Sequence, residues 1–372
     1  MRIGAKLALL AAIAVLILAV CGALLYVQYA VSVADAKELA SRIFAERARS
    51  ADGEINALLD RAIALDSAAL TEKGVGAPVS GDGRGHPALD FLFAAVRSAP
   101  SIYAAYYGLA DGSFLEAIAT HGNPDIIKAL GAPAGTDHVI RTVTVESGQE
   151  TAQNWTFLDA AGAVLGARTD ANPTFDPRKT RWYQAGSGGG GPVLTRPYQF
   201  SSAPVVGVTA VQGLPANHGV FGVDFTLGDL SRLIAERPIS PNGSLYIFDN
   251  SLVLLAAPPD GPNGVPTDRL MSDMRTLRLP VLQALAELSQ SANIGQSTLI
   301  QVQGRDYMAL VSRWRGKAAP MVDIGIIAPL DDFTGPIKPL IIRTSIMAFA
   351  LLAAAALLVA WFARKPGTRQ VH

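Results

Sequence analysis

The sequence has 372 residues, 50 % of them hydrophobic, and its 31 lysines and arginines balance its 31 aspartates and glutamates. This neutral balance, without a basic patch interleaved with aromatic residues, gives no support for nucleic-acid binding. The only cysteine, Cys21, lies in an apolar stretch, so a disulfide framework within the chain is excluded.

The chain begins with a predicted membrane anchor. Arg2 and Lys6 precede residues 7–34, which contain no charged side chain, and about 20 apolar residues suffice to span a bilayer. We therefore predict a cytoplasmic tail over residues 1–6 and a transmembrane helix over residues 7–30. The apolar stretch is longer than the roughly 7–15 residues of a signal-peptide core, which favours an uncleaved anchor.

Two other interpretations of this stretch stay open. Ala34-Asp35-Ala36 matches the small-residue pattern of a signal-peptidase site, so the segment could be removed. Cys21 could accept a lipid, since Leu18 lies three residues before it. Val20 is a poor residue directly before such a cysteine, however, and the apolar run continues beyond it.

A second apolar stretch lies near the end of the chain. Residues 344–363 are uncharged, and three basic residues follow them. Basic residues at the outer flanks of both spans place both termini in the cytoplasm by the positive-inside rule. For a bacterial inner-membrane protein we therefore predict three further regions: a periplasmic region over 31–338, a transmembrane helix over 339–363 and a cytoplasmic tail over 364–372.

One long helix is predicted over residues 31–72. Residues 32–70 contain no proline, and apolar or small residues recur at alternating steps of four and three, the spacing of a helix with one buried stripe. The stripe comprises Phe44, Ala48, Ala51, Ile55, Leu58, Ala62, Leu65 and Ala69. It either packs on a sheet of the same subunit or pairs with the same helix of a second subunit in a homodimer.

Two groups of strand-like runs follow the helix and its loop over residues 74–87. A membrane-distal module is predicted over 88–237, with strands at 101–107, 114–119, 139–146, 154–158, 207–214 and 220–225. A membrane-proximal module is predicted over 238–335, with strands at 244–248, 252–255, 298–302, 307–311 and 321–329 and a helix at 281–288. Strands joined by hairpins after a long helix indicate an α+β fold with antiparallel, PAS-like sheets.

The most informative stretch is Phe175-Asp176-Pro177-Arg178-Lys179-Thr180-Arg181-Trp182-Tyr183. Pro177 fixes its own backbone and biases Asp176 toward an extended conformation, which predicts a rigid turn. Aromatic faces attract ammonium groups and guanidinium groups hold carboxylates, so the turn suits a pocket for a small polar ligand. The alternative is a Trp-Tyr pair buried in a core beside surface arginines.

Two further motifs follow this turn. Tyr198 ends Thr195-Arg196-Pro197-Tyr198, and Asp224 interrupts the apolar run 219–225. The three motifs resemble the double-Cache sensor domains of bacterial chemoreceptors, histidine kinases and nucleotide cyclases, in which D-P-R-x-R-P-W-Y, W-T-x-P-Y and G-V-x-G-x-D occur in this order. The resemblance implies a long N-terminal helix carrying two PAS-like antiparallel-sheet modules (double Cache), flanked by two transmembrane helices.

The resemblance also implies a ligand pocket in the distal module. The pocket aromatics of double-Cache amino-acid sensors, and the acid that meets the ligand's amine, correspond to Trp182, Tyr183, Tyr198 and Asp224. Thr180 replaces the arginine expected two residues before the tryptophan, with Arg178 and Arg181 as nearby substitutes. Phe175 replaces an expected tyrosine. We therefore predict these eight residues as ligand-binding, with an amino acid, an amine or another small polar solute as ligand.

No motif indicates catalysis or a cofactor. The glycine-rich run 186–191 lacks the Lys-Ser/Thr pair of a nucleotide-binding loop, the five histidines lack metal-ligand spacing, and no G-x-S-x-G elbow occurs. We expect no enzymatic activity, metal or cofactor. The rival interpretations are a periplasmic scaffold that uses the fold only to contact another protein and, third, an exported hydrolase.

The sequence as a whole predicts a membrane-anchored periplasmic sensor. Receptors of the double-Cache family usually continue into a signalling domain after the second span, whereas nine residues follow residue 363 here. We therefore expect either a detached sensor or one that signals through a partner in the membrane.

Overall fold

The computed structural model describes residues 2–146, 149–171, 173–189, 191–314, 322–335, 342–347, 349, 350, 353, 354 and 357. Its first element, α1, is one uninterrupted helix over Arg2–Ala69, so the predicted first span and the predicted long helix are continuous. Within the described residues, α1 carries the one helical segment that is long and apolar enough to cross a membrane. Its most apolar 18-residue window has a mean hydropathy of 2.1 and no buried side chain.

The inward face of α1 packs on two sheets of its own chain. Five of its residues belong to the core of the membrane-proximal sheet: Ala36, Ala40, Phe44, Ala48 and Ala51. Further along, Ala62 and Ala69 belong to a core of the membrane-distal sheet, and Leu58 and Leu65 pack against it. The apolar stripe is therefore intramolecular, as the first of the two alternatives predicted.

In the described residues, the membrane-distal part contains four helices besides α1 and nine strands. The helices that follow α1 are α2 (Leu89–Arg97), α3 (Pro124–Ala129), α4 (Arg181–Ser187) and α5 (Leu227–Ala235). The strands are β1 (Ile102–Leu109), β2 (Phe114–Ala119), β3 (His138–Glu146), β4 (Gln149–Leu158), β5 (Val164–Asp170), β6 (Val193–Leu194), β7 (Tyr198–Gln199), β8 (Val206–Gly213) and β9 (Gly219–Thr226). They form an antiparallel sheet in the order β5-β4-β3-β2-β1-β9-β8-β6, with β7 paired to β8.

The two faces of this distal sheet have different coverings. Successive residues of a strand point to opposite faces. Tyr107 and Leu115 accordingly belong to the core shared with α1 and α2, whereas Tyr106 and Phe114 belong to a second core that contains Trp182 of α4. Helices therefore cover one face, and the other face receives the segment that was predicted to carry the ligand pocket.

The membrane-proximal part forms a second antiparallel sheet, in the order β11-β10-β14-β13-β12. Its elements are β10 (Ser244–Asp249), β11 (Leu254–Ala256), α6 (Pro280–Ser289), β12 (Thr298–Val302), β13 (Arg305–Trp314), β14 (Val322–Pro329) and α7 (Asp331–Thr334). The chain is thus mixed α+β, with one long helix along two antiparallel sheets. The second predicted span over 339–363 lies largely outside the described residues, and the tail over 364–372 lies entirely outside them.

The sequence failed to predict β5 because its side chains lack the alternation of a half-buried strand. Val164 and Leu165 are 47 % and 41 % exposed, respectively, so both faces of this edge strand meet solvent. The strand pairs antiparallel with β4 across the turn that Asp159 initiates, where the Asp159 side chain accepts hydrogen bonds from two backbone N–H groups of the turn.

Candidate functional site

A cavity of about 520 Å³ opens between the distal sheet and the segment that carries the sequence motifs. Its wall combines aromatic, hydroxyl, acidic and basic side chains from β1, β2, β7, β9 and the start of α4. The lining residues are Tyr106, Phe114, Glu116, Lys179, Thr180, Arg181, Trp182, Pro197, Tyr198, Gln199, Phe200, Ser201, Ser202, Asp224 and Met271.

The motif turn is built by two successive helix caps. Asp176 caps a 3₁₀ turn over Pro177–Lys179 by accepting a hydrogen bond from the Arg178 backbone N–H at 3.0 Å. Thr180 then caps α4, since its hydroxyl accepts from the Tyr183 backbone N–H at 3.3 Å and donates to the Pro177 carbonyl at 2.6 Å. The hydroxyl of Thr180 is therefore already bonded within the turn, although the residue lines the cavity.

Trp182 is buried against the sheet and also lines the cavity. Its ring lies 4.7 Å from that of Tyr106, centroid to centroid, and a Cβ at Gly108 would come within 2.5 Å of it. Gly222, in the G-V-F-G-V-D motif, gives Tyr106 room in the same way, since a Cβ there would lie 2.5 Å from the tyrosine ring. Two glycines thus let the aromatic wall lie flat on the strands.

Asp224 on β9 is the acid at the centre of this wall and is only 3 % exposed. Its Oδ1 accepts hydrogen bonds from the Tyr106 hydroxyl at 2.8 Å and the Thr209 hydroxyl at 2.6 Å. Tyr198 lies 2.6 Å from the Thr209 hydroxyl and extends the chain of hydroxyl groups. The other oxygen, Oδ2, makes no hydrogen bond to any residue that the structure describes, so it is the oxygen available to a ligand.

The protonation of Asp224 depends on the contents of the cavity. Burial raises the pKa of its carboxyl well above the usual range, and the nearby charge of Glu116 adds to the rise, whereas the hydrogen bonds from Thr209 and Tyr106 oppose it. A cationic ligand would favour the ionised form and so lower this pKa. Binding of a cation would therefore be coupled to release of a proton.

A second acid in the wall, Glu116, has a dedicated partner that the motifs did not indicate. Arg141, buried on the neighbouring strand, donates to Glu116 Oε2 at 3.2 Å, to the Ser201 hydroxyl at 3.1 Å and to Gln153 Oε1 at 3.1 Å. Burial raises the pKa of Glu116, and the Arg141 guanidinium opposes the rise. The lone charges in the apolar runs 114–119 and 139–145 were the available sequence signal for this pair.

Phe175 supports Arg141 and lies outside the cavity wall. The Arg141 guanidinium carbon lies 4.2 Å from the centroid of the Phe175 ring, and this ring packs edge-on against Phe114 at 5.0 Å. The aromatic residue at this position therefore stacks on the buried cation instead of meeting the cavity.

Two more of the predicted residues lie away from the cavity. Arg178 pairs with Asp176, Nε to Oδ1, at 2.9 Å and donates to the Asp111 carbonyl at 3.3 Å, which fixes the turn from outside. Tyr183 contacts the Trp182 ring edge-on at 5.7 Å and lines a separate groove. The structure thus brings five of the eight predicted residues to the cavity: Thr180, Arg181, Trp182, Tyr198 and Asp224.

The basic side chains of the wall differ in availability. Arg181 is exposed at the rim and forms no ion pair or hydrogen bond with the described residues, whereas Lys179 pairs with Asp176 at 3.4 Å. Arg141 is committed to Glu116 and its neighbours. In the part of the chain that the structure describes, no group of three or more His, Cys, Asp or Glu side chains is placed to hold a metal ion. Among the described residues that line the cavity, Asp224 is therefore the buried acid without a cationic partner.

The chain is similar to a curated bacterial protein and to several solved structures. No family model matches the sequence. Adenylate cyclase 1 of Rhizobium meliloti (strain 1021) is 23 % identical over 272 residues, which are 71 % of this chain and 40 % of that protein. The chain therefore spans about two-fifths of the length of this relative.

Similar solved structures are sensory or ligand-binding domains of chemoreceptors. They include Tlp3 of Campylobacter jejuni with isoleucine (14 % identity, TM-score 0.48, 82 % of this chain and 98 % of that chain). CtaA of Pseudomonas fluorescens with L-isoleucine has 15 % identity and a TM-score of 0.48, with 80 % and 95 % covered. PctB of Pseudomonas aeruginosa PAO1 with L-Arg has 14 % identity and a TM-score of 0.44, with 79 % and 94 % covered. These neighbours are sensor domains of the class that the motifs resemble.

Proposed function

We propose that this chain is a membrane-anchored sensor whose membrane-distal cavity binds a small organic cation. The observation that carries the proposal is Asp224, a buried carboxylate whose Oδ2 lacks a hydrogen bond from any described residue while aromatic rings line the cavity around it. An ammonium group meets both requirements, because it neutralises the carboxylate and is attracted by aromatic faces. The proposal assigns binding, and no catalytic step, to this cavity.

An amine is favoured over a zwitterionic amino acid by the distribution of cations. A ligand carboxylate needs a guanidinium or ammonium partner. Arg141 already pairs with Glu116, and Thr180 caps α4. Of the described basic residues at the rim, Lys179 already pairs with Asp176, so a ligand carboxylate would meet mainly Arg181. Amino acids whose carboxylate reaches the rim are the weaker class of ligand in this proposal.

In this arrangement residues 7–30 lie in the bacterial inner membrane, both sheets lie in the periplasm and both termini lie in the cytoplasm. A conformational change caused by ligand binding then reaches the membrane through α1, since this helix packs on both sheets and continues into the apolar segment. A membrane signalling partner receives the signal. A homodimer formed through α1 would use its outward face, where Leu39 is 51 % exposed.

The test uses the full chain in detergent. A thermal-shift screen against amines, amino acids and organic acids identifies a ligand, and calorimetry then compares wild type, Asp224→Asn and the exposed control Asp268→Asn. Loss of a charged hydrogen-bond partner should weaken binding roughly ten- to a hundredfold in Asp224→Asn, with no change in the control. Unchanged affinity in a folded Asp224→Asn variant would show that this cavity is not the site.

A further inference from the structure

A second polar cavity, of about 380 Å³, lies at the base of the membrane-proximal sheet. Three chain segments form it: α1 around Tyr29–Lys37, the hairpin that joins β12 to β13, and the first turn of α7. None of its lining residues belongs to the distal cavity. The cavity therefore lies beside the part of α1 where the uncharged stretch 7–34 ends.

The depth of this cavity matches the headgroup layer of a membrane. If residues 7–30 cross the hydrocarbon core, as the proposed anchoring requires, the layer between core and water is roughly 5–8 Å thick on each side. An α-helix rises about 1.5 Å per residue, so the eight steps from Tyr29 to Lys37 cover about 12 Å. The cavity wall along α1 thus begins at the core boundary and ends just above the headgroups.

The charges of this wall have opposite signs on opposite sides. Lys37 on α1 is half-buried, and its ammonium group forms no ion pair or hydrogen bond with any residue that the structure describes. On the hairpin side of the cavity, the only hydrogen bond that the Asp306 carboxylate accepts from a described residue is a long one, 3.5 Å from Gln301 Nε2. Arg305 is paired, Nε to Oδ2, with Asp331 at 3.4 Å. Among the described lining residues, Lys37 and Asp306 are therefore the cation and the acid available to a ligand.

The acidic side of the wall is held by backbone bonds. Gln303 and Gly304 have positive φ values of 49° and 77°, the conformation of a two-residue turn that suits a twisted hairpin. The Leu330 backbone N–H donates to the Asp306 carbonyl at 2.9 Å, which ties the hairpin to the start of α7. The position of the Asp306 backbone relative to the start of α7 is thus set before any ligand arrives.

We propose that this cavity binds the headgroup of a zwitterionic phospholipid that carries a phosphate and a primary ammonium group. The phosphate accepts hydrogen bonds from the Lys37 ammonium, and the lipid ammonium donates to the Asp306 carboxylate. A soluble phosphoamine has the same chemistry, but the depth of the cavity favours the lipid. A trimethylated ammonium has no N–H to donate, so phosphatidylcholine lacks half of the interaction. The site would fix the rotation of α1 at the membrane surface.

The experiment measures lipid binding to the detergent-solubilised, delipidated full chain by native mass spectrometry. Phosphatidylethanolamine, phosphatidylcholine and phosphatidylglycerol with identical acyl chains are titrated separately. We expect phosphatidylethanolamine to bind about tenfold more tightly than the other two, and Lys37→Gln and Asp306→Asn each to lose about tenfold. Lys128→Gln and Asp268→Asn, which remove exposed charges far from this cavity, should leave lipid binding unchanged.

Four results would overturn the proposal. Equal affinity for phosphatidylethanolamine and phosphatidylcholine would show that the cavity does not distinguish lipid headgroups. Unchanged lipid affinity in both folded pocket variants would show the same. Saturation by soluble O-phosphoethanolamine at the same concentration as the lipid would assign the cavity to a solute. Failure of wild type to float with phosphatidylethanolamine–phosphatidylglycerol vesicles would remove the membrane anchoring as well, whereas amine binding at Asp224 is measured separately by calorimetry.

Discussion

At the residue scale, two buried acids share one cavity and have different partners. Glu116 is neutralised by Arg141, which is itself sandwiched among aromatic rings. Asp224 has hydroxyl donors on one oxygen and no cation among the described residues. Hydroxyl donors stabilise a carboxylate less than a guanidinium does. A cationic ligand would therefore stabilise the ionised form of Asp224 further.

The raised pKa of Asp224 predicts the pH dependence of ligand binding. An aliphatic amine stays protonated between about pH 5 and 8 and binds the ionised carboxylate. Protonation of Asp224 competes with the ligand, so affinity should rise as pH rises through the pKa of the empty site, and binding should release protons. Calorimetry in buffers of different ionisation enthalpy measures both quantities. Affinity that falls with pH would contradict the assigned role of Asp224, and Asp224→Asn should abolish the proton release.

Removing Arg141 alone should lower the free energy of unfolding strongly, whereas neutralising Arg141 and Glu116 together should lower it little. Arg141→Met leaves a buried carboxylate without its cation, which typically costs about 3–5 kcal/mol of unfolding free energy. The double variant Arg141→Met/Glu116→Gln removes the stranded charge and should recover most of that loss. Denaturant unfolding of the full chain measures the cycle. Additive effects of the two substitutions would mean that the pair does not interact as its 3.2 Å distance indicates.

At the scale of elements, α1 is held by a row of small residues and one large one. Phe44 is fully buried and meets Phe333 edge-on, with ring centroids 6.1 Å apart. The alanines at neighbouring inward positions bring the helix backbone close to the proximal sheet. The helix therefore depends on Phe44 for most of its large side-chain contact in this region.

Phe44→Ala should destabilise the protein by about 3–5 kcal/mol, because it leaves a cavity at the helix–sheet contact. Leu39→Ala, on the 51 % exposed side of the same helix, is the matched control and should change stability by less than about 0.5 kcal/mol. Thermal or denaturant unfolding compares the two. A larger effect of Leu39→Ala would indicate that the outward face is covered by a second molecule.

At the scale of the whole molecule, one buried acid on α1 should make the free energy of unfolding decrease as pH rises. Asp66 is fully buried, and neither carboxylate oxygen has a hydrogen-bond partner among the described residues. Burial raises the pKa of Asp66 to about 8, against about 3.9 in an unfolded chain. Between these values the folded state holds a proton that the unfolded state has lost. Stability should therefore fall as pH rises through this window, by at most about 1.4 kcal/mol per pH unit.

Asp66→Asn removes this dependence and provides the measurement. The variant should be more stable than wild type near pH 8 and should approach it near pH 4, as judged by unfolding midpoints at several pH values. Asp268→Asn, at an exposed position, should keep the pH trend of wild type. Identical pH trends for wild type and Asp66→Asn would show that Asp66 is solvated or paired in solution.

The membrane topology is tested at the same scale. Basic residues at the outer flanks of both apolar stretches predict that both termini are cytoplasmic. Alkaline phosphatase should therefore be inactive when fused after residue 372 and active when fused in the loop after residue 236. Activity at the C-terminal position would contradict the two-span arrangement.

The fold was largely accessible to sequence reasoning because it depends on periodicity. The stripe on α1 and the hairpins around short polar turns follow directly from spacing, and the structure contains them. The stripe could not decide between a sheet and a second helix, since both offer an apolar surface. The exposed edge strand β5 escaped prediction because an edge strand with solvent on both faces carries no alternating pattern.

The candidate site was likewise predicted in part from the sequence and in part only from the tertiary structure. By itself the sequence determined the residue types of the motif turn, the acid on β9 and the apolar segment of α1, because these are local patterns. Only the tertiary structure decided which side chains share a cavity. In it, Tyr106 and Thr209 donate hydrogen bonds to Asp224, and Arg141 pairs with Glu116. Three of the predicted residues lie outside the cavity wall: Arg178, Tyr183 and Phe175. The physical reason is that these contacts join strands distant along the chain, and strand register, which no local pattern records, fixes which side chains meet.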